Sequence, residues 1–165
     1  MEVFLRILMI SCTWIFIQIF SGWLAHKVTP RGLSVLSRIL KIGTYEQKGR
    51  IYQRLFHIKS WKDSLPEAGA FFAGGIAKNR LISSDYDTLN IYYHETLRAE
   101  FSHWLPFVFS WTFFLWNTPD IAIWMPPVGL LGNLPFLLIQ RYNRARVEQM
   151  HNYAFVHSCK TNDKS

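Results

Sequence analysis

The most concentrated set of reactive side chains lies in one stretch of ten residues that holds Glu95, Arg98, Glu100, His103 and Trp104. On a helix, residues three positions apart are neighbours, so Glu100 and His103 would form one pair. A carboxylate beside a histidine fixes the imidazole tautomer and stabilises its protonated form, which suits the histidine to general base catalysis. We therefore predict that His103 and Glu100 are catalytic. The alternative is an interfacial helix whose ion pairs only stabilise it.

A second polar group follows the last apolar stretch and begins inside it. Arginines make directional contacts with phosphates, so we predict substrate-binding residues here, together with Glu95, Arg98 and Trp104: Asn133, Gln140, Arg141, Asn143 and Arg144. Helical spacing puts Asn133, Gln140 and Arg144 on one face, which indicates a polar stripe leading into the apolar span. The alternatives are an arginine anchor at the membrane surface and hydrogen bonding between helices.

The sequence predicts no metal site. No second histidine stands four residues from His103, and Glu-x-x-His would need a partner motif elsewhere in the chain. Cys12 lies in an apolar run and Cys159 in a polar tail, so a disulfide between them is not expected.

The elements that must position these residues are apolar runs. Half of the 165 residues are apolar and 16% are aromatic, which is typical of an integral membrane protein. Residues 7–25 carry no charge and would span about 28 Å as a helix, close to the hydrocarbon thickness of a bilayer. A signal peptide fits less well, because the preceding residues are not basic and no cleavage motif follows.

Asp120 is the only charged residue between positions 105 and 139. One helix over that stretch would be about 52 Å long, too long for a single crossing, so a hairpin is expected. We predict spans at 91–116 and 121–139, joined by a turn at 117–120, the second span being interrupted by prolines and glycines. The predicted fold is one domain over 1–165, an all-α integral membrane protein with about three transmembrane helices.

The segment 26–90 is predicted to lie at the membrane surface. Leu33, Leu36 and Leu40 share one face of a short amphipathic helix that ends at Gly43. A second, basic amphipathic helix is predicted over 45–59, and 71–76 is expected to dip into the interface. Asp85 and Asp87 are candidate N-caps for the next helix. The tail 140–165 is predicted to begin as a basic helix and to be disordered after residue 152.

Charge distribution predicts the orientation. Arg6 is the only one of the 18 Lys and Arg residues before the first span, and none lies in the hairpin turn. By the positive-inside rule, the segment 26–90 and the tail are cytosolic and the N-terminus is outside. The net charge of +7 then indicates contact with anionic lipid rather than with nucleic acid.

Several of these motifs resemble the glycosyl-4,4'-diaponeurosporenoate acyltransferase family of bacterial carotenoid biosynthesis. The resembling stretches are Trp61-Lys62, Glu95-x-x-Arg98-Ala-Glu100-x-x-His103-Trp104, Asn133-x-Pro135 and Gln140-Arg141-Tyr142-Asn143-Arg144-x-Arg146. The resemblance implies an enzyme of the bacterial cell membrane that esterifies a sugar hydroxyl of a glycosylated C30 carotenoid with a fatty acyl chain. That reaction is the last step towards staphyloxanthin-type pigments.

The resemblance implies a glycosylated carotenoid as acceptor, and in the acyltransferase hypothesis the donor is an acyl-CoA or an acyl-carrier protein, with no other cofactor expected. Arg98, Arg141 or Arg144 would hold the phosphates of the carrier or stabilise the oxyanion, with the site at the cytosolic face. Two other classes remain open. One is a non-enzymatic membrane adaptor or lipid-binding protein, and the other is a membrane methyltransferase or reductase. Oligomeric state, acyl chain and acceptor choice stay open as well.

Overall fold

The computed structural model describes residues 1–65 and 86–162, with positions 47, 63, 86 and 151–162 as backbone only. Every regular element in these ranges is helical, which confirms the predicted all-α class for this part of the chain. The α-helices are α1 (Glu2–His26), α2 (Pro30–Ile39), α3 (Arg50–Phe56), α4 (Ile58–Trp61), α5 (Tyr86–Phe109), α6 (Pro119–Ala122) and α7 (Met125–Asn162). Short 3₁₀ helices cover Thr44–Gly49, Lys62–Ser64 and Ser110–Leu115.

The centre of the fold is the antiparallel pair α5 and α7, against which the other elements pack. Helix α1 lies along α5, and the 3₁₀ helix Thr44–Gly49 lies on α7. Gly129 lets three helices approach closely, because an added Cβ there would lie 2.8 Å from the Trp14 ring and 3.2 Å from the Pro106 carbonyl oxygen. A larger residue at this position would push α1, α5 and α7 apart.

Two stretches are long and apolar enough to cross a membrane: Glu2–His26 and Pro119–Met150. Helix α1 also leaves large apolar side chains such as Phe4, Phe16 and Ile19 exposed, whereas a water-soluble protein buries most of the apolar face of a helix. The predicted middle span is not a third such stretch, because α5 carries Glu95, Arg98 and Glu100 within it. The arrangement of three spans and its orientation stay predictions.

The predicted boundaries around the hairpin are only partly right. The limb 91–116 is helical almost throughout, because α5 is followed directly by the 3₁₀ helix Ser110–Leu115. The predicted interruption of the return limb is confirmed only at its start, where α6 ends at Ala122 and α7 begins at Met125. The further breaks predicted up to Pro135 are wrong, because α7 runs unbroken through that residue. Pro126 and Pro127 fall in its first turn, where a missing N–H costs no hydrogen bond. The predicted disorder after residue 152 is also wrong, since α7 continues to Asn162, each added residue extending an existing helix at little cost.

Of the two helices predicted in the surface segment 26–90, one is confirmed and the other is wrong. Helix α2 forms as predicted, with Thr29 as its N-cap and Leu33 buried. The single helix predicted over 45–59 is instead the 3₁₀ helix Thr44–Gly49, α3 and α4. Positive φ angles of 57° at Lys48, 86° at Gly49 and 49° at His57 break it, because an α-helix needs negative φ at every residue. The predictions for 71–76 and for Asp85 fall outside the described residues.

Candidate active site

The interface between α5 and α7 brings most of the predicted site residues together. Helix α5 contributes Glu100, and α7 contributes Arg141 and Arg144 across from it. Glu100 is fully buried and Arg144 is 1% exposed. Charged side chains are almost never fully buried without partners, so the contacts of these residues decide what they do.

Glu100 forms ion pairs with two arginines of α7. Its Oε1 lies 2.8 Å from Nη1 of Arg141, and its Oε2 lies 2.5 Å from Nη1 of Arg144. The indole N–H of Trp104 is directed at Oε1 over 3.4 Å. Both oxygens of Glu100 therefore contact groups of the protein, and the ion pairs hold α5 against α7.

Arg141 extends this contact to the 3₁₀ helix Thr44–Gly49. Its Nη2 lies 2.5 Å from Oε1 of Glu46, and its Nε donates to the Tyr52 hydroxyl at 3.1 Å. Tyr52 in turn donates to Oε2 of Glu46, and the Gly43 N–H donates to Oε1 at 2.7 Å. We call Glu46, Tyr52, Glu100, Arg141 and Arg144 the buried ion network; its two carboxylates balance its two guanidiniums.

The environment of the network keeps Glu46 ionised and Tyr52 neutral. Burial alone would raise the pKa of Glu46, but hydrogen bonds from Arg141, Tyr52 and Gly43 outweigh it and hold that pKa below its usual value. Burial and the hydrogen bond to Glu46 raise the pKa of Tyr52. Arg144 also donates to the Leu40 carbonyl oxygen. The guanidiniums of Arg141 and Arg144 are thus occupied by groups of the protein.

His103 has a different partner from the predicted one. Its Nδ1 lies 3.0 Å from Oδ1 of Asn133, and its ring stacks on Phe136 with a centroid separation of 4.8 Å. The prediction that Glu100 orients His103 is therefore wrong. Glu100 turns towards the arginines of α7, and the buried amide of Asn133 takes its place beside the imidazole.

The hydrogen bonds of Asn133 determine the tautomer of His103. Nδ2 of Asn133 donates to the Gly129 carbonyl oxygen at 2.9 Å, and a carbonyl oxygen can only accept. Oδ1 of Asn133 therefore faces His103 as an acceptor, so Nδ1 of His103 carries the proton. The neutral imidazole then has its lone pair on Nε2, which makes no hydrogen bond within residues 1–65 and 86–162. A base with one nitrogen fixed and the other open can accept a proton from a bound substrate.

The remaining predicted residues lie on the same two helices, at a distance from this pair along α5 and α7. Glu95 and Arg98 form an ion pair of 2.5 Å, each side chain being about one quarter exposed. In the described part of the chain, Nε of Arg98 has no hydrogen-bond partner. Gln140 and Asn143 are half-buried on α7.

Sequence reasoning missed Glu46 and Tyr52. Arg141 is 95 positions from Glu46, and no spacing rule links residues so far apart. The only signal was an acidic residue in a segment that is otherwise basic. Among the described residues, no group of three or more His, Cys, Asp or Glu side chains could hold a metal ion.

Comparison with known proteins places the chain in one family. The family model described as glycosyl-4,4'-diaponeurosporenoate acyltransferase matches residues 36–152, a range that contains the buried ion network, His103 and Asn133. A protein of that name from Staphylococcus haemolyticus (strain JCSC1435) is 32% identical over 112 residues, 67% of this chain and 64% of the relative. Another from Staphylococcus aureus (strain MRSA252) is 22% identical over 142 residues, 85% of this chain and 84% of the relative.

The chain thus matches slightly less than two thirds of the length of the Staphylococcus haemolyticus relative. No solved structure matches it. The family match covers well over half of the chain and confirms the resemblance that the motifs indicated. The chain therefore belongs to the glycosyl-4,4'-diaponeurosporenoate acyltransferase family.

Proposed function

We propose that this chain is a membrane acyltransferase that moves a fatty acyl chain from a thioester to a sugar hydroxyl of a glycosylated carotenoid. The acceptor resembles glycosyl-4,4'-diaponeurosporenoate, and the reaction is the last step of staphyloxanthin-type pigment synthesis. Family membership supports the acyl-transfer class and the acceptor. The observation that carries the chemistry is the pair His103 and Asn133, which leaves Nε2 of the imidazole open.

His103 acts as the general base in this mechanism. Its Nε2 takes the proton of the sugar hydroxyl while the oxygen attacks the thioester carbonyl carbon. The tetrahedral intermediate then collapses, the carbon–sulfur bond breaks, and the imidazolium returns the proton to the leaving sulfur. The products are a sugar ester and a free thiol, and His103 regains its starting state.

Asn133 acts as a positioning residue in this scheme. Its hydrogen bond to Nδ1 fixes the tautomer, and the stacking of Phe136 on the ring fixes the plane of the imidazole. Because Asn133 is itself held by the Gly129 carbonyl, the imidazole is held on two sides before a substrate binds. Such preorganisation lowers the entropic cost of reaching the transition state.

The buried ion network supports the site from the cytosolic side. It fixes the register of α5 on α7, and that register sets the position of His103 relative to Asn133. Arg141 and Arg144 would have to break buried ion pairs to bind a phosphate, so we assign them to this supporting role. We assign the partly exposed pair Glu95 and Arg98 to hydrogen bonds with the acceptor sugar. Trp104, Gln140 and Asn143 are proposed as further substrate contacts.

We place the enzyme in the bacterial cell membrane as a multi-pass protein, with the N-terminus outside and the site at the cytosolic face. The exposed apolar side chains of α1 and the two apolar stretches support the membrane. The cationic segments after α1 and at the end of α7 support the orientation. A site at this boundary could receive a water-soluble thioester and an amphiphilic glycolipid together.

The test is reconstitution. Purified protein in lipid nanodiscs is incubated with an acyl-CoA or an acyl-carrier protein and with glycosyl-4,4'-diaponeurosporenoate, and the ester is measured by mass spectrometry. We expect an ester that bears one added acyl group, and no ester from the aglycone, which lacks the sugar hydroxyls. No ester with either donor would exclude this function and favour the non-enzymatic adaptor or lipid-binding protein.

A further inference from the structure

A cleft of about 560 Å³ opens between the 3₁₀ helix Thr44–Gly49 and the cytosolic part of α7. Small-molecule sites in proteins typically have volumes of about 300–1,000 Å³, so the cleft is large enough for a nucleotide. It contains no residue of the proposed catalytic pair. The polar and apolar side chains that line it include Ile42, Thr44, Lys48, Arg50, Glu148 and Gln149.

The wall that carries Lys48 is held in a fixed conformation. Lys48 has a φ of 57° and Gly49 a φ of 86°, a region that residues other than glycine rarely enter. Two contacts with α7 hold this turn. The Gln149 side chain donates to the Lys48 carbonyl oxygen at 2.6 Å, and Gly49 is buried beside Ala145, where an added Cβ would lie 3.4 Å from the Ala145 Cβ.

The cations at the cleft differ from those in the protein interior. Arg141 and Arg144 are paired with buried carboxylates, and Arg98 is paired with Glu95. Lys48 and Arg50 are exposed, and within the described residues neither forms an ion pair. They can therefore bind an anion without first giving up a carboxylate partner. Lysine and arginine bind phosphate groups through charge-assisted hydrogen bonds to the phosphate oxygens.

The distance from the cleft to His103 fits a donor with a long flexible arm. Ala145 lies at the cleft, and Asn133, which contacts His103, is twelve residues earlier on the same helix. At 1.5 Å per residue, the two points are about 18 Å apart along α7. A thioester donor whose phosphates are separated from the sulfur by a pantetheine arm can reach both points at once.

We infer that this cleft binds the phosphate-bearing nucleotide head of a coenzyme A thioester, with Lys48 and Arg50 as its phosphate ligands. The inference rests on the proposed acyl transfer and names the donor for it. Thr44, Glu148 and Gln149 supply donors and acceptors for the ribose and the base, and Ile42 supplies an apolar surface for the base. An acyl-carrier protein has no nucleotide to fill a cleft of this size, so the structure favours coenzyme A.

The test measures binding of desulfo-coenzyme A, which cannot be acylated, to the full chain in zwitterionic nanodiscs by isothermal titration calorimetry. For the double variant Lys48→Ala, Arg50→Ala we expect a dissociation constant at least about tenfold higher, as befits the loss of two charge-assisted contacts. The matched control is Arg54→Ala, Lys59→Ala, which removes two exposed cations that do not line the cleft. We expect the control to bind within about twofold of wild type, since surface charges away from a site contribute little.

Kinetics separate the cleft from the catalytic pair. The cleft variant should raise KM for acyl-CoA about tenfold or more and keep kcat at saturating donor, because its lost contacts are made in ground state and transition state alike. His103→Ala should bind desulfo-coenzyme A as wild type does and lose turnover. If the wild-type protein does not bind desulfo-coenzyme A, or if the cleft variant binds it like the control, the inference is wrong.

Two further outcomes distinguish this inference from the proposed function. Ester formation with an acyl-carrier protein but not with acyl-CoA would overturn the cleft assignment and leave the acyl transfer intact. Binding that depends on Lys48 and Arg50, without ester from any donor, would overturn the acyl transfer and support only a nucleotide site. If soluble glycerol phosphate, which carries a lipid headgroup phosphate, displaces desulfo-coenzyme A at a comparable concentration, the cleft binds lipid headgroups and the inference is overturned.

Discussion

Two polar clusters lie three residues apart on α5, and their hydrogen-bonding groups are used in opposite ways. In the buried ion network, Glu100 and Glu46 face guanidiniums and other donors of the protein itself. In the second cluster, Asn133 binds one nitrogen of His103, and no residue in the described part of the chain binds the other. The first cluster binds the helices to one another, whereas the second can still accept a proton from a substrate.

Residue type alone does not distinguish a charged side chain that holds the helices together from one that reacts with a substrate. Glu100, Arg141 and Arg144 are the types that a catalytic site would use, yet their mutual pairing makes them expensive to disturb. His103 has one ring nitrogen without a hydrogen-bond partner among the described residues, which is why we propose it as the reacting group. Five predictions test this division of roles, in order of decreasing effect.

Changing His103 to Ala should have the largest effect on catalysis. Loss of a general base lowers rates by about 10²–10⁴-fold, whereas the loss of the hydrogen bond to buried Asn133 should lower the free energy of unfolding by only about 1–3 kcal/mol. The measurement is ester formation in nanodiscs, with thermal unfolding of the same preparation. Turnover close to that of wild type would end the assignment of His103 as the base.

Changing Arg144 to Ala should have the largest effect on stability. It removes one partner of a fully buried carboxylate, a change that typically costs about 3–5 kcal/mol. The matched control is Arg146→Ala, an exposed arginine two positions away, for which we expect at most about 0.5 kcal/mol. Both are measured as free energies of unfolding in detergent. Equal stability of the two variants would show that the network does not hold α5 to α7.

Changing Asn133 to Leu should lower kcat about tenfold with little change in KM, as expected when a hydrogen bond of about 1.4 kcal/mol orients the base. Asn133→Asp keeps an acceptor beside Nδ1 of His103 and should recover part of the lost kcat. A purely structural role for Asn133 would instead lower the melting temperatures of both variants and leave kcat per folded molecule unchanged.

The buried ion network should also make the stability of the fold depend on pH, and His103→Ala should leave that dependence unchanged. The pKa of Glu46 is held below its ordinary value of 4.5 in the folded protein, so the unfolded chain binds that proton more readily. The stability that Glu46 contributes is therefore complete above about pH 4.5 and is lost as the pH falls below it. In a plot of melting temperature against pH, the wild type should show an acid limb, a fall below about pH 4.5. Glu46→Gln should flatten this acid limb. The same acid limb in wild type and variant would contradict the assignment.

The pKa of Tyr52 is raised above 10 in the folded protein. The stability that Tyr52 contributes is therefore lost at alkaline pH. The stability of the neutral hydroxyl is complete below pH 10 and falls as the pH rises above that value. Tyr52→Phe should remove this alkaline loss, which provides an independent measurement on the same network.

Some of the local structure could be read from the sequence, because it depends on neighbours along the chain. Apolar runs indicated α1 and the hairpin limbs, and the spacing of Leu33, Leu36 and Leu40 indicated α2. The long helix through Glu95 and His103 was also predicted. The break at Lys48 and Gly49 was not, since contacts with Ala145 and Gln149 of α7 impose that conformation.

The sequence by itself determined an all-helical chain, the family, and the residue types available for chemistry, because composition, periodicity and local motifs carry that information. Only the tertiary structure decided how those residues are paired. Glu100 and His103 are helical neighbours, yet Glu100 pairs with Arg141, 41 positions away, and His103 with Asn133, 30 positions away. The physical reason is that a buried charge is stable only beside an opposite charge, and the packing of α5 on α7 determines which charges lie close enough.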